Sequence, residues 1–237
     1  METFVLGDIT IEVEQKDIKN IHLSVYPPDG HVRIAAPNNL ELDTIRIFAI
    51  NKLKWIKSQI KTFQNQDRET QREYISKESH YYLGDRYLLE INEGAMMNGI
   101  ERKHKKLVMT LKAGTAPEKR KEILEKWYRQ QMKSILPELF SKWEKVVGVE
   151  HSSFGIRKMK TKWGSCNTET GRILLNLELA KKPIECVEYI LVHELVHLHE
   201  RKHNDRFVAL MSTYLPDWRV RRDELNRLPF RHLDWKY

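Results

Sequence analysis

The sequence predicts an α+β protein, with an N-terminal β-rich region followed by a domain that combines a small sheet with a chemically active helix. Three observations predict it. Short β-branched and aromatic runs around turn residues fill much of the first half, from "TFVLGDITIEVE" to "KKLVMTL". Apolar residues at helical spacing then mark a long helix. Beyond it the chain returns to strand before a last helical stretch that carries four histidines, "VHELVHLHERKH". With 237 residues, 41% of them apolar and six tryptophans, the chain can bury one large core or two small ones.

The elements follow in order. "TFVLGDITIEVE", "NIHLSVYPPDGHVRIAAP" and "YYLGDRYLLEIN" read as hairpins about Gly7-Asp8, Pro28-Asp29-Gly30 and Gly84-Asp85. Leu42, Ile45, Ile47, Phe48, Leu53, Trp55, Ile56 and Ile60 predict a helix over 43–63 with Asp43 as N-cap, and the polar "QNQDRETQRE" predicts a linker. "KKLVMTL" is a strand. Thr115 or Ala116 opens a long helix whose expected apolar stripe is Ile123, Trp127, Ile135, Leu139, Trp143 and Val146, with Pro137 a candidate kink. Strands are expected in "SSFGIRKMKTKWGSC" and "RILLNLELA", with a turn at "NTETG" between them, and Pro183 starts the final functional helix. No internal repeat or low-complexity tract is evident.

Composition narrows the function. The longest apolar runs are too short and interrupted to span a bilayer, and the N-terminus lacks a basic stretch followed by an apolar block. We therefore expect a soluble cytoplasmic protein with no membrane partner. Cys166 and Cys186 do not form a disulfide-dense pattern and are expected to be reduced. The formal charge is +8, and residues 101–133 alone hold eleven Lys or Arg against four Glu. Such a segment is either a solvated face or a surface for nucleotide phosphates or nucleic acid, and no nucleic-acid-binding signature accompanies it.

His193 and His197 lie four residues apart, about 400° of rotation and 6 Å of rise on a helix, so their rings share one face and can share one ion. Glu194, next to the first, is placed to take a proton from a water without binding the ion. Given this chain's ten His and 23 Glu, chance supplies only about 0.04 His-Glu-x-x-His matches. A zinc ion is the expected cofactor. A catalytic zinc takes three protein ligands, and six more helical residues would turn His203 to the wrong face, so the helix must end before it. Asn204 or Asp205 can then cap the next helix and leave His203 on a returning turn. His203 is the favoured third ligand, with Asp205 or a later acid as the alternative. Glu200 stands where the metzincin pattern has glycine, which argues against that class. His199 is expected to face elsewhere, and Tyr214 is weighed as a group that could orient a tetrahedral intermediate.

The chain also resembles the YgjP-like metal-dependent hydrolases, relatives of the SprT-like zinc peptidases. The likeness rests on "KTKWGSC", "GRILLNLEL", "VEYILVHELVHLHERKHNDRF" and "LPDW", with looser similarity in "LSVYPPDGHVRIAAP", "KLKWI" and "YYLGDRYLLEI". The resemblance implies a gluzincin-like zinc peptidase domain in residues 71–237, after hairpins and a helix in residues 1–70. It also implies His193, His197 and His203 as ligands and Glu194 as general base. Lys202 departs from the Asn that relatives commonly carry before the third His. In the family "KWGSC" lies beside the metal, so Trp163, Gly164 and Ser165 either line a cleft that holds an extended peptide or, for Trp163 and Gly164, serve as a core anchor and a bulge. Cys166 is expected to be a buried thiol rather than a nucleophile.

Peptide or protein hydrolysis is the expected activity. The resemblance also carries a second implication, a nucleoside triphosphate pyrophosphatase acting on UTP, which the basic segment would suit. A third hypothesis, a nucleic-acid-associated module with structural zinc, conflicts with Glu194 and the open coordination position.

Overall fold

The computed structural model describes residues 2–26, 30–64, 72–159 and 162–227. Pro28, Asp29 and most of the expected linker lie outside them. Two compact units divide the chain between residues 68 and 69.

The first unit opens with β1 (Glu2–Leu6), β2 (Ile9–Lys16), β3 (His22–Tyr26) and β4 (His31–Pro37). The order across the sheet is β1-β2-β4-β3, with β2 and β4 parallel and the outer pairs antiparallel. Alternation builds the buried face: Ile9, Ile11 and Val13 from β2 meet Val32, Ile34 and Ala36 from β4. Helices α1 (Leu42–Asn51) and α2 (Leu53–Gln64) add Ile45, Ala49 and Ile56 to that core. The single helix expected over 43–63 is thus two. Lys52 leaves helical geometry at φ −99°, ψ 3°, and only the weak helix former Asn51 beside it hints at the break. Glu41, not Asp43, is the N-cap; Asp43 sits in the first turn and accepts a hydrogen bond from Arg46. Ile47 and Trp55, expected on the apolar stripe, are exposed.

The second unit repeats this opening. β5 (Ser79–Tyr82), β6 (Asp85–Glu93), β7 (Gly99–Lys103) and β8 (Lys106–Leu111) form a sheet in the order β5-β6-β8-β7, again with the central pair parallel. The expectation of no internal repeat is therefore corrected at the level of topology. Leu6-Gly7-Asp8 and Leu83-Gly84-Asp85 share the first hairpin turn, where both glycines take left-handed φ angles. Elsewhere alternation tolerates different side chains, so the strands carry little common sequence. β7 had no sequence signal, because its residues are largely exposed and lack alternation.

Helix α3 (Pro117–Val147) starts from N-cap Ala116 and ends at the left-handed Gly148, whose N–H donates to the Glu144 carbonyl at 2.8 Å. Its buried stripe is Leu124, Trp127, Tyr128, Met132, Leu136, Phe140, Trp143 and Val147. Trp127 and Trp143 were foreseen, but Ile123, Ile135, Leu139 and Val146 each lie one residue off the true stripe, about 100° around the helix. The remaining strands, β9 (Ser153–Arg157), β10 (Gly164–Asn167) and β11 (Arg172–Asn176), form a sheet in the order β10-β11-β9, which leaves β10 at an edge. A 3-10 turn (Leu177–Lys181) leads to α4 (Ile184–Val196), α5 (Asp205–Tyr214) and α6 (Trp218–Arg227). Among the described residues, no helix is long and apolar enough to cross a membrane.

Candidate metal centre

Helix α4 is the central element of the site. Every residue from Cys186 to Val196 is buried, in keeping with a helix that is apolar on most faces and packs against α3, α5, α6 and β10. Two polar side chains in it, His193 and Glu194, are only 5% and 2% exposed. Burial without purpose would be costly for both.

The helix ends where the ligand spacing requires. His197 is the C-cap but keeps right-handed helical angles (φ −62°, ψ −19°), so its ring continues the face begun by His193. Tight turns follow, with His199 N–H and Glu200 N–H both donating to the Val196 carbonyl at 2.9 and 3.0 Å. Asn204 then caps α5, its side chain accepting from Phe207 N–H at 3.0 Å. His203, one residue before that cap, swings back. Its Nε2 lies 3.0 Å from His193 Nε2 and 3.1 Å from His197 Nε2. Three nitrogens around a tetrahedral zinc at 2.0–2.1 Å would stand about 3.3 Å apart, so the observed spacing fits that ion. The alternative third ligand, Asp205, is absent from the cluster.

The protonation chemistry agrees. Burial, reinforced by the neighbouring His197 and His203, pushes His193 down to about 3. Burial also lowers His197 and His203. All three rings are therefore neutral near pH 7, the form that coordinates a metal. His197 Nδ1 lies 3.0 Å from the Glu200 carbonyl; a proton held there leaves Nε2 facing inward. Phe207, which sequence reasoning missed, packs its ring 4.8–4.9 Å from all three imidazoles.

Glu194 is turned toward strand β10. Burial raises its carboxyl to about 8, with the charge of Lys162 acting in the opposite sense. A cation among the three nitrogens would draw that value down again. The space beside it exists because residue 164 is glycine: a Cβ there would stand 2.4 Å from Glu194 Oε1 and 2.7 Å from its Cγ. Of the other expected cleft residues, Trp163 is 2% exposed and anchors the strand in the core, with the Lys182 ammonium 5.9 Å from its ring, while Ser165 is half-buried on the edge strand. Cys166 is pushed up to about 11 by burial and then by the Glu194 charge, so it is a thiol at neutral pH. His199 turns its Nε2 to the Val147 carbonyl at 2.9 Å, and Tyr214 stacks on His199.

A buried network fastens α4 from behind. Glu188 Oε1 accepts from Lys142 Nζ at 2.6 Å and Trp143 Nε1 at 3.1 Å, and Oε2 accepts from Arg221 at 2.8 Å, tying α4 to α3 and α6. Burial works to raise the Glu188 carboxyl, but the hydrogen bonds from Lys142, Arg221 and Trp143 outweigh it and hold the group below its ordinary 4.5. A carboxyl lowered in the folded state contributes stability that is present above the unfolded value and lost as pH falls through the folded one. Glu188→Ala is expected to cost about 2 kcal/mol, less than a fully buried pair because Lys142 is half-exposed. In denaturation series across acidic pH, Glu188→Gln should lose less stability than wild type below about pH 4.5.

A search of curated proteins finds no match to the chain. Among solved structures it is similar to the metallopeptidase zymogen of Pyrococcus abyssi abylysin, at 22% identity and a TM-score of 0.36, covering 38% of this chain and 91% of that one. The YgjP-like family, described as a metallopeptidase domain, matches residues 19–228, a span that takes in all three imidazoles, Glu194 and the glycine beside it. The chain belongs to the YgjP-like metallopeptidase-domain family.

Proposed function

We propose that the protein is a zinc-dependent metallopeptidase in which His193, His197 and His203 hold the ion and Glu194 is the general base. The convergence of three neutral imidazoles at zinc spacing, one residue from a buried carboxyl, carries this reading. Bound there, zinc would supply Lewis-acid polarisation of the scissile carbonyl and a water of lowered pKa. Glu194 would take the proton of the attacking water and return it to the departing amine nitrogen. The edge strand β10 offers backbone groups to an extended substrate, and Gly164 within it leaves the Glu194 carboxylate room to work.

The basic segment does not favour the UTP alternative. Lys103, Lys105, Lys106, Lys119 and Arg120 are paired with Glu101, Asp85, Glu90, Glu122 and Glu93 at 2.7–3.3 Å. Arg120 also donates to the Thr115 carbonyl and is a structural anchor rather than a free cation. Five of the eleven cations are thereby answered from within the fold.

Elemental analysis is expected to find about one zinc per chain, and the double variant His193→Ala/His197→Ala none. Zinc that survives both substitutions would end the assignment. The loaded protein should cleave members of a mixed peptide library and leave UTP largely intact; robust UTP hydrolysis that disappears in Glu194→Gln would replace the peptidase reading.

A further inference from the structure

We propose that Phe207 is a positioning residue of the metal centre, a wedge that holds the three imidazoles apart and aimed at one point before any ion arrives, and so governs the affinity for zinc. This rests on the zinc part of the proposed function and is independent of which bond the protein cleaves.

The ring geometry carries it. The centroids of His193, His197, His203 and Phe207 stand 4.8–4.9 Å apart in all six pairings. Four rings at equal distances form a tetrahedron, with the benzene ring at the vertex opposite the triangle of imidazoles. On such a figure Phe207 rises about 4 Å from the plane of the three imidazole centroids, and an ion held at about 2 Å from each nitrogen lies about 1.5 Å from that plane. On the Phe207 side the ion would press into the benzene ring, at a separation of about 2.5 Å. The ion therefore belongs on the far side. Phe207 fills the hollow behind the rings and leaves the open coordination position facing away from it.

Local structure explains why Phe207 stands there. It is the third residue of α5 and is buried. Its N–H donates to the Asn204 side chain at 3.0 Å, and Asn204 directly follows His203, so one N-cap fixes the third imidazole and the wedge relative to each other. The benzene plane meets His193 and His203 edge-on, at 68° and 82°, an arrangement that aromatic pairs favour at this separation. The β10 side of the centre has its own support. Asn176, fully buried at the end of β11, donates from Nδ2 to the carbonyls of Met159 and Lys162 at 3.0 and 2.7 Å, and its N–H donates to the Trp163 carbonyl at 2.8 Å. A change at Phe207 should therefore reach the imidazoles and leave the strand beside Glu194 in place.

Preorganisation is what such a wedge supplies. An ion that had to gather three freely turning imidazoles would bind more weakly by the entropy of ordering them. A phenyl group suits the task because it is rigid, cannot ligate, and excludes water from the rear of the rings, and the apolar shell of a metal site bears on its affinity as the ligands do.

The test titrates the full chain, stripped of metal, with zinc in competition with a chromophoric chelator, and separately with cobalt, whose visible bands follow coordination geometry. Phe207→Leu and Phe207→Ile, two apolar shapes that leave a gap behind the rings, should each weaken zinc binding by about 10- to 100-fold and shift the cobalt bands. Leu124→Ala, a truncation in the buried stripe of α3, should lower the melting temperature at least as far and leave both metal readouts at their wild-type values. A folded Phe207 variant that binds zinc as tightly as wild type, with unshifted cobalt bands, overturns the assignment and leaves the zinc peptidase reading standing. Wild type that takes up neither ion overturns both. Wild type that binds zinc in a Phe207-dependent way but cleaves no peptide keeps the wedge and sinks the peptidase reading.

Discussion

Glu194→Gln is expected to lower peptide turnover by about 100-fold or more while zinc stays at one per chain. The substitution is close to isosteric, and the side chain is 2% exposed in a tightly filled space between α4 and β10, so glutamine can occupy the same volume. What disappears is the ability to accept and return a proton. His203 Nε2 lies 3.0 and 3.1 Å from the nitrogens of His193 and His197, and the cluster includes no atom of residue 194, so metal binding should survive. Kinetics beside elemental analysis on the same preparation check both halves. Loss of zinc together with activity would make Glu194 a ligand and remove it as the base.

Gly164→Ala should be nearly as damaging, although it deletes no functional group. A methyl group at that position would stand 2.4, 2.7 and 2.8 Å from Oε1, Cγ and Cδ of Glu194, well inside any tolerable contact. Turning the carboxylate tip alone does not clear Cγ, so either the side chain leaves its working position or the edge strand shifts. We expect a loss of about 10- to 100-fold in kcat with zinc retained, because a displaced base is costly even when present. The overpacking itself should lower stability by about 1–3 kcal/mol. Turnover at the wild-type rate would show that Glu194 works from some other position.

These expectations rest on features of unequal visibility in the sequence. The meeting of His193, His197 and His203 was legible because helical geometry dictates which positions share a face and where a helix must stop. Phe207 and Asn176 were not, since one acts by packing under three rings and the other by holding carbonyls 14 and 17 residues away. Neither role leaves a local pattern. The Glu188 network is of the same kind, joining residues more than 30 positions apart. Most strands were legible from alternation, and β7 escaped because an exposed edge needs none. On α3, apolar residues sit on both sides of the true stripe, so spacing alone settled on positions one residue early or late. The duplicated sheet topology stayed hidden because strand pairing is set by backbone hydrogen bonds and leaves the side chains free to diverge.

The loop between the second and third imidazoles has only five residues, 198–202, while the chain from Gly164 to His203 is 40 residues long. On the usual logarithmic law, closing a loop of five costs about 1.8 kcal/mol less chain entropy than closing one of 40. His193 and His197 ride on one buried helix and need no closure at all. The rigid pair can therefore capture an ion first and the short arm fold over it second, without disturbing any sheet. Release would follow the reverse order, and its rate would report the local opening of one turn rather than unfolding of the domain. The slower folding events are expected at the parallel pairs β2/β4, β6/β8 and β9/β11, whose partners are joined through an intervening strand and cannot pair as simple hairpins.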